Sequence, residues 1–194
     1  VDIDNRAAAR DATKHLLDHG YRRIGIVNGP PNMIASIDRY AGYVNALQEM
    51  GRMPDPALTM HSDFTRRGGY RSMQAILQNN PIPPDAMFVA SDTMASGVLQ
   101  ALRDFGLRVP DDVAVMGFDG LDETLVSQPI LSTVHQPIRD LGAQGVQALI
   151  ELLEHPDHAP VQRFLPFRLQ IRRTCGCGAP IPASMANTTG GAAA

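Results

Sequence analysis

Lysine is almost missing from this chain: its 194 residues contain one, Lys14, and the arginines are scattered. A domain that grips duplex DNA usually clusters basic side chains to neutralise phosphates. Here the net charge is −3 at neutral pH, and Arg22-Arg23, Arg66-Arg67 and Arg172-Arg173 fit solvated element ends better than a nucleic-acid track. No apolar run approaches the roughly 18 residues of a membrane span, so no membrane partner is expected. No cleavable signal peptide opens the chain either. Cysteine is scarce, with only Cys175 and Cys177 in a Cys-Gly-Cys near the end. A structural metal centre needs about four ligands, and no second such pair exists. The expectation is two reduced thiols in a loose tail, no metal and no cofactor. That cysteine usage fits a cytoplasmic protein.

The common catalytic signatures are missing too. No Gly-x-Gly-x-x-Gly follows an apolar run, and there is no Walker loop, no Gly-x-Ser-x-Gly elbow and no His-Glu-x-x-His. No catalytic residue is therefore assigned, and the chain is not expected to be an enzyme.

What is present is a regular alternation of apolar runs and helical periods. The chain is 44% hydrophobic, enough for one domain with a core. A helix is expected over residues 6–19, with Asp4 or Asn5 as cap and Gly20 as a left-handed stop. Further helices are expected over 38–50, 67–78, 93–105 and 138–154, the fourth capped by Asp92. Between them, 24–27, 57–60, 86–90 and 113–116 are short, continuous apolar runs. Such runs are strands buried on both faces, as in a parallel sheet covered by helices. The alternation predicts an α/β fold with a doubly wound, mostly parallel sheet. Residues 167–172 alternate strictly and fit an antiparallel strand with one exposed face. Residues 174–194 are small residues, Gly and Pro, and are expected to be a disordered tail.

Ligands of open α/β sheets bind outside the carboxyl ends of the strands. That rule singles out Asn28, Gly29 and, a little further on, Arg39. It also singles out His61, Asp63 and Phe64, then Ser91 and Asp92, then Phe118 and Asp119. An arginine fork, carboxylates and an aromatic face form a plausible polyol site. Each residue also has a plainer role. Asp92 reads as a helix cap, His61 as a loop histidine and Phe64 as core, while Arg39 fits a surface ion pair. Asp119, a carboxylate directly after a buried strand, has the weakest plain alternative.

Five stretches resemble the lactose/galactose repressor (LacI/GalR) family of transcription regulators. They are Gly106 to Asp119, Leu131 to Pro137, His19 to Gly25, Arg39 to Tyr43, and Ser91 to Ala95, in family order and spacing. The Cys-Gly-Cys ending is familiar there as well. The resemblance implies a periplasmic-binding-protein-like (type I) fold of two α/β subdomains with a cleft between them. It places residues 1–132 and 162–173 in the C-terminal subdomain and makes 133–161 a segment crossing to the N-terminal subdomain. Val1 leads straight into a helix with no initiator Met, so upstream sequence is expected; the resemblance implies that it holds a DNA-binding headpiece and most of the first subdomain. Carried over by position, Arg39, Phe64, Ser91 and Asp119 match effector-contacting residues, and Gln136 matches one at the crossover. For Arg39 this replaces the surface ion pair. Two departures stand out: Gly120 occupies a position often acidic in the family, and Ser91 one that is often Asn.

The implied function is effector sensing. A sugar or sugar derivative in the cleft biases a homodimer between operator-binding states, with operator DNA held by the upstream headpiece and not by this segment. The alternative within the same fold is a periplasmic sugar-binding protein of a transport system. The apolar residues Met94, Val98, Leu99 and Leu102 suggest more surface than one core face needs, hence a two-fold contact through that helix. The apolar face of 138–154 likewise needs cover: its own sheet, a second copy of the chain, or further residues, with a second copy preferred.

Overall fold

The structure, a computed structural model, describes residues 1–122, 128–157, 159 and 162–177. Asp4 starts the first helix, α1 (Asn5–Asp18), by accepting a hydrogen bond from the Ala7 amide at 2.8 Å. That satisfies one of the helix's orphan donors. Its inner face is small, with Ala8, Ala9 and Ala12 fully buried. This lets α2 (Ile34–Glu49) come close. At the crossing, a Cβ on Gly42 would stand 2.2 Å from the Arg6 carbonyl oxygen, so only glycine fits. The second helix begins four residues before the expected Asp38. Its cap, Met33, makes no side-chain bond, so nothing in the sequence marked the start.

Six strands form the main sheet: β2 (Ile24–Asn28), β3 (Thr59–His61), β4 (Ala86–Val89), β5 (Ala114–Asp119), β6 (Ser132–His135) and β8 (Arg168–Gln170). Their spatial order is β3-β2-β4-β5-β6-β8, parallel throughout except for β8. A separate two-stranded ribbon pairs β1 (Asp2–Ile3) with β7 (Phe164–Leu165) in parallel. Side chains alternate between two cores. Ala86 and Phe88 of β4, with Met116 and Phe118 of β5, meet α1 and α2. Met87, Val89 and Val115 meet α3 (Arg66–Asn79) and α4 (Asp92–Asp104) on the opposite face. Burial on both faces is what the continuous apolar runs required. Each large side chain so buried contributes roughly 1.5–3 kcal/mol.

Several expectations need correction. The second strand starts at Thr59 because Pro56–Leu58 forms a 3₁₀ turn capped by Asp55. Residues 133–135, expected at the start of a segment crossing to another subdomain, pair with β5 as part of β6 in the main sheet. The expected tail is ordered at its first residues: Thr174 and Cys175 are wholly buried. The Thr174 hydroxyl donates to the Val115 carbonyl at 2.7 Å and accepts from the Ser132 amide at 2.8 Å. It thereby ties together the starts of two strands. The rest of that expected tail, 178–194, lies outside the described residues. In α4, Met94, Val98, Leu99 and Leu102 are all buried in the chain's own core. The apolar surplus that suggested a two-fold contact there does not exist. Helix α5 (Ile138–Glu154) keeps its expected bounds but has no buried residue. Leu141 touches the core, whereas Leu149 is 58% and Leu153 71% exposed, so this helix does not fold back on its own sheet.

Asp92 is not a cap. The Ser91 hydroxyl caps α4 by accepting from the Met94 amide at 3.1 Å. The Asp92 carboxylate accepts from the Thr133 hydroxyl at 2.6 Å and from the Gly120 and Leu121 amides at 2.8 and 2.9 Å. It thus joins α4, the end of β5 and β6. A Cβ on Gly117 would sit 2.4 Å from its Oδ1, so the glycine keeps the carboxylate's space open. Burial pushes the carboxyl up to about 6, against the pull of the hydrogen bonds from Thr133 and the two amides.

A folded-state value above the ordinary one means that the native state favours the protonated carboxyl. The stability this contributes is complete below pH ~4 and is lost as the pH rises through about 6. Replacing Thr133 with Val leaves the ionised carboxylate one donor short. The substitution is expected to cost roughly 1.5–3 kcal/mol at neutral pH and nearer 0.5–1.5 kcal/mol below the folded-state value. Urea unfolding of both proteins in the two pH ranges checks this; an equal cost in both would contradict it.

Candidate functional site

The carboxyl ends of β2, β3, β4 and β5 open onto one edge of the sheet, and each delivers a distinct group. β2 ends at Asn28-Gly29. The turn after β3 carries Phe64 at φ 61°, and β5 ends with Asp119 at φ 121°. They are the two non-glycine residues with positive φ among those described. Such backbones cost of order 1–3 kcal/mol and gather where a site over-determines them. The Phe64 ring lies against Gly29: a Cβ there would stand 2.0 Å from the ring's Cζ. Asp63 orders the same turn by accepting from the Thr65 amide and hydroxyl, and those bonds hold its carboxyl below the usual range.

Arg39 reaches this edge from α2 and is buried, not at the surface. Its Nε donates to Asn5 Oδ1 at 2.9 Å and its Nη1 to the Ala90 carbonyl at 2.7 Å. The guanidinium lies 3.8 Å above the Phe118 ring, a cation–π contact. Nη1 also stands 3.5 Å from Asp119 Oδ1, which accepts from Gln136 Nε2 at 2.8 Å. Burial lowers the Arg39 pKa against the pull of Asp119. Burial likewise raises that of Asp119, against Arg39 and the Gln136 hydrogen bond. Desolvation outweighs pairing for both partners, so the pair is a poor source of stability. It is held in place by Asn5, Ala90, Phe118 and Gln136 rather than by its own attraction.

Arg39, Phe64, Ser91 and Asp119 line one open depression of about 270 Å³, together with Ala35 and Thr93. Gln136 joins them through Asp119. The structure thus brings together the five residues that the family resemblance selected, four in the lining and Gln136 behind Asp119. Ser91 is also committed to capping α4. His61 stays outside the lining and approaches the Gly29 carbonyl at 3.3 Å. Sequence reasoning missed Asn5, taken only as a possible cap, which orients Arg39 across 34 residues. Only the tertiary contact reveals that role. It also missed Ala35 and Thr93, small residues with no distinctive signal. Asn28 Oδ1 and His135 Nδ1, near the ends of β2 and β6, are buried with no hydrogen-bond partner among the described residues. A larger depression of about 380 Å³ lies among Arg66, Arg67, Tyr70 and Gln100. It is a shallow side of α3 and α4 with no buried charge. The smaller one holds the chemistry: a cation and a carboxylate fixed in register, beside an aromatic face.

Residues 13–175 match the periplasmic binding protein-like domain. The chain is 38% identical over 172 residues to the HTH-type transcriptional repressor CytR of Escherichia coli (strain K12), covering 89% of this chain and 50% of that protein. It is 36% identical over 174 residues to the HTH-type transcriptional regulator CelR of Thermobifida fusca, covering 90% and 51%. Among solved structures, a transcriptional regulator CelR–cellobiose complex superimposes with a TM-score of 0.86 at 36% identity, covering 90% of this chain and 53% of that one. A putative LacI regulator from Bacillus cereus subsp. cytotoxis NVH 391-98 gives 0.87 at 31%, covering 90% and 62%. The chain spans about half the length of the curated relatives it matches. Its six-stranded, largely parallel sheet is similar to that of LacI-type transcriptional regulators, and the chain belongs to the periplasmic binding protein-like family.

Proposed function

We propose that this domain senses a small polyol, a sugar or sugar derivative, for a cytoplasmic transcription regulator, and that its ligand seat is the Arg39–Asp119 edge of the sheet. The observation that carries the reading is the buried, desolvated pair itself. A guanidinium and a carboxylate that stabilise the fold poorly, yet are fixed by four neighbours, are preorganised for a third party. Arg39 offers forked donors to adjacent hydroxyls, Asp119 accepts from them, and Phe64 offers a face to sugar C–H groups. Ser91 contributes its hydroxyl, and Gln136 keeps Asp119 oriented. The relative solved with cellobiose supports a carbohydrate as the ligand class.

Binding then acts as a switch. An effector that prefers one arrangement of the intact regulator shifts it by its differential affinity, typically about 1–3 kcal/mol. Operator DNA is held by a headpiece of the kind the helix-turn-helix relatives are named for. The likeness to regulators weighs against a transport role. We further infer a homodimer. Its support is the family alone, because the apolar residues of α4 are spent on its own core.

Two outcomes are expected of the full-length protein. A thermal-shift screen of sugars identifies a stabilising ligand, and Asp119→Ala then weakens it about tenfold or more while operator binding persists. Loss of a charged hydrogen bond is worth roughly 1.5–3 kcal/mol. Unchanged sugar affinity in Asp119→Ala would remove this residue from the site. Sedimentation is expected to give the mass of two chains; a monomer at all workable concentrations would defeat the dimer.

A further inference from the structure

At the opposite edge of the sheet, four soft-metal donors converge. Helix α1 places His15 and His19 one turn apart on the same face, with ring centroids 4.4 Å apart. Four residues is the spacing at which helical side chains become neighbours. The segment after β8 returns Cys175 and Cys177 to that face. Cys177 Sγ lies 3.1 Å from His15 Nε2, 3.1 Å from His19 Nε2 and 2.7 Å from Cys175 Sγ. The donor atoms of His15, Cys175 and Cys177 all fall within 4.8 Å of one another. Both cysteines are free thiols. The expectation of a loose, metal-free Cys-Gly-Cys rested on the lack of a second ligand pair; the histidines of α1 are that pair.

Three further features make this a shaped site rather than a chance meeting. His19 Nδ1 stands 2.9 Å from the His15 carbonyl. A carbonyl can only accept, so this bond puts the ring proton on Nδ1 and turns the bare Nε2 lone pair toward Cys177. Metal-bound histidines are oriented by the same kind of backbone bond. Gly176 adopts φ 78°, and a Cβ on it would stand 2.3 Å from the Tyr21 hydroxyl oxygen. Glycine therefore permits the tight turn that brings both sulfurs to one side. The Tyr21 hydroxyl in turn donates to the Cys175 carbonyl at 3.3 Å and holds that turn down.

We propose that His15, His19, Cys175 and Cys177 bind a divalent, thiophilic metal ion of the zinc type in a tetrahedral Cys₂His₂ centre. Zinc takes sulfur at about 2.3 Å and imidazole nitrogen at about 2.0–2.1 Å, which sets ligand atoms roughly 3.5–3.8 Å apart. Reaching that spacing opens the two Cys177–histidine contacts by about 0.4 Å and the Cys175–Cys177 contact by about 1.1 Å. Four protein ligands leave no open position, so the centre is structural rather than catalytic. On binding, the two thiols release their protons to solvent and the thiolates coordinate. The ion clamps the chain after β8 to α1, beside Val115 at the start of β5, while Asp119 ends that strand at the other edge. This proposal does not depend on what the Arg39–Asp119 site binds.

The test is titration of the reduced, metal-stripped full-length protein with Co²⁺, followed by displacement with Zn²⁺. The expected result is one equivalent of cobalt showing thiolate charge transfer and the intense visible bands of tetrahedral coordination, both abolished by zinc. Cys177→Ser and His19→Gln replace partly exposed side chains, and circular dichroism confirms that each variant is folded. Each is expected to weaken zinc by at least ~100-fold, beyond the 10–100-fold that loss of a ligand's supporting partner costs. A cobalt spectrum without thiolate or tetrahedral features overturns the proposal, as does zinc affinity unchanged in folded Cys177→Ser.

Discussion

The buried carboxylate of Asp92 is the constraint around which the rest of the sheet's carboxyl edge is arranged. It stands at the first residue of α4 and gathers a hydroxyl from β6 and two amides from the turn after β5. Those amides follow Asp119 directly, so the same bonds that bury Asp92 hold the backbone of Asp119 in its unusual conformation. Burying the charge is expensive, which is why the carboxyl lies near 6, yet its three bonds tie α4 both to β6 and to the turn after β5. A fold that can be read as independent strand–helix units is locked into one body here.

From that lock follows the geometry of the candidate site. Asp119 is turned toward Arg39 and Gln136, and Arg39 is pinned on its far side by Asn5 and the Ala90 carbonyl. Neither charge is well solvated, and neither is fully compensated by the other. Such a pair destabilises a resting protein relative to an apolar core of the same volume. Its persistence makes sense where a ligand completes the missing hydrogen bonds. The opposite edge obeys a different logic: thiols and imidazoles face one another at short distance, and an acceptor-only carbonyl orients one ring. One sheet thus presents hard oxygen and guanidinium groups at one end and soft donors at the other.

Helix α5 stands apart from both. Its periodicity is strong enough that the sequence predicts its bounds, yet Val146, Leu149 and Leu153 lie in the open. Local pattern determines that a helix forms, whereas burial of its face depends on what packs against it. β6 shows the converse. Ser-Thr-Val-His has little apolar character, and it becomes a strand because Asp92, Thr174 and the neighbouring β5 supply partners for its polar groups.

The sequence alone determined the class of the fold, because continuous apolar runs alternating with helical periods have one compact solution, a covered parallel sheet. Strand ends are where an open sheet can hold a ligand, which pointed to Arg39, Phe64, Ser91 and Asp119 among others; the resemblance to the family selected these four and added Gln136. Only the tertiary structure decided what their neighbours do. It turned Asp92 from a cap into a brace, made Asn5 the anchor of Arg39, and set His15 and His19 against Cys175 and Cys177 across about 160 residues of chain. The physical reason is that hydrophobic period is a local property, whereas a polar side chain's role depends on partners that come from anywhere in the chain.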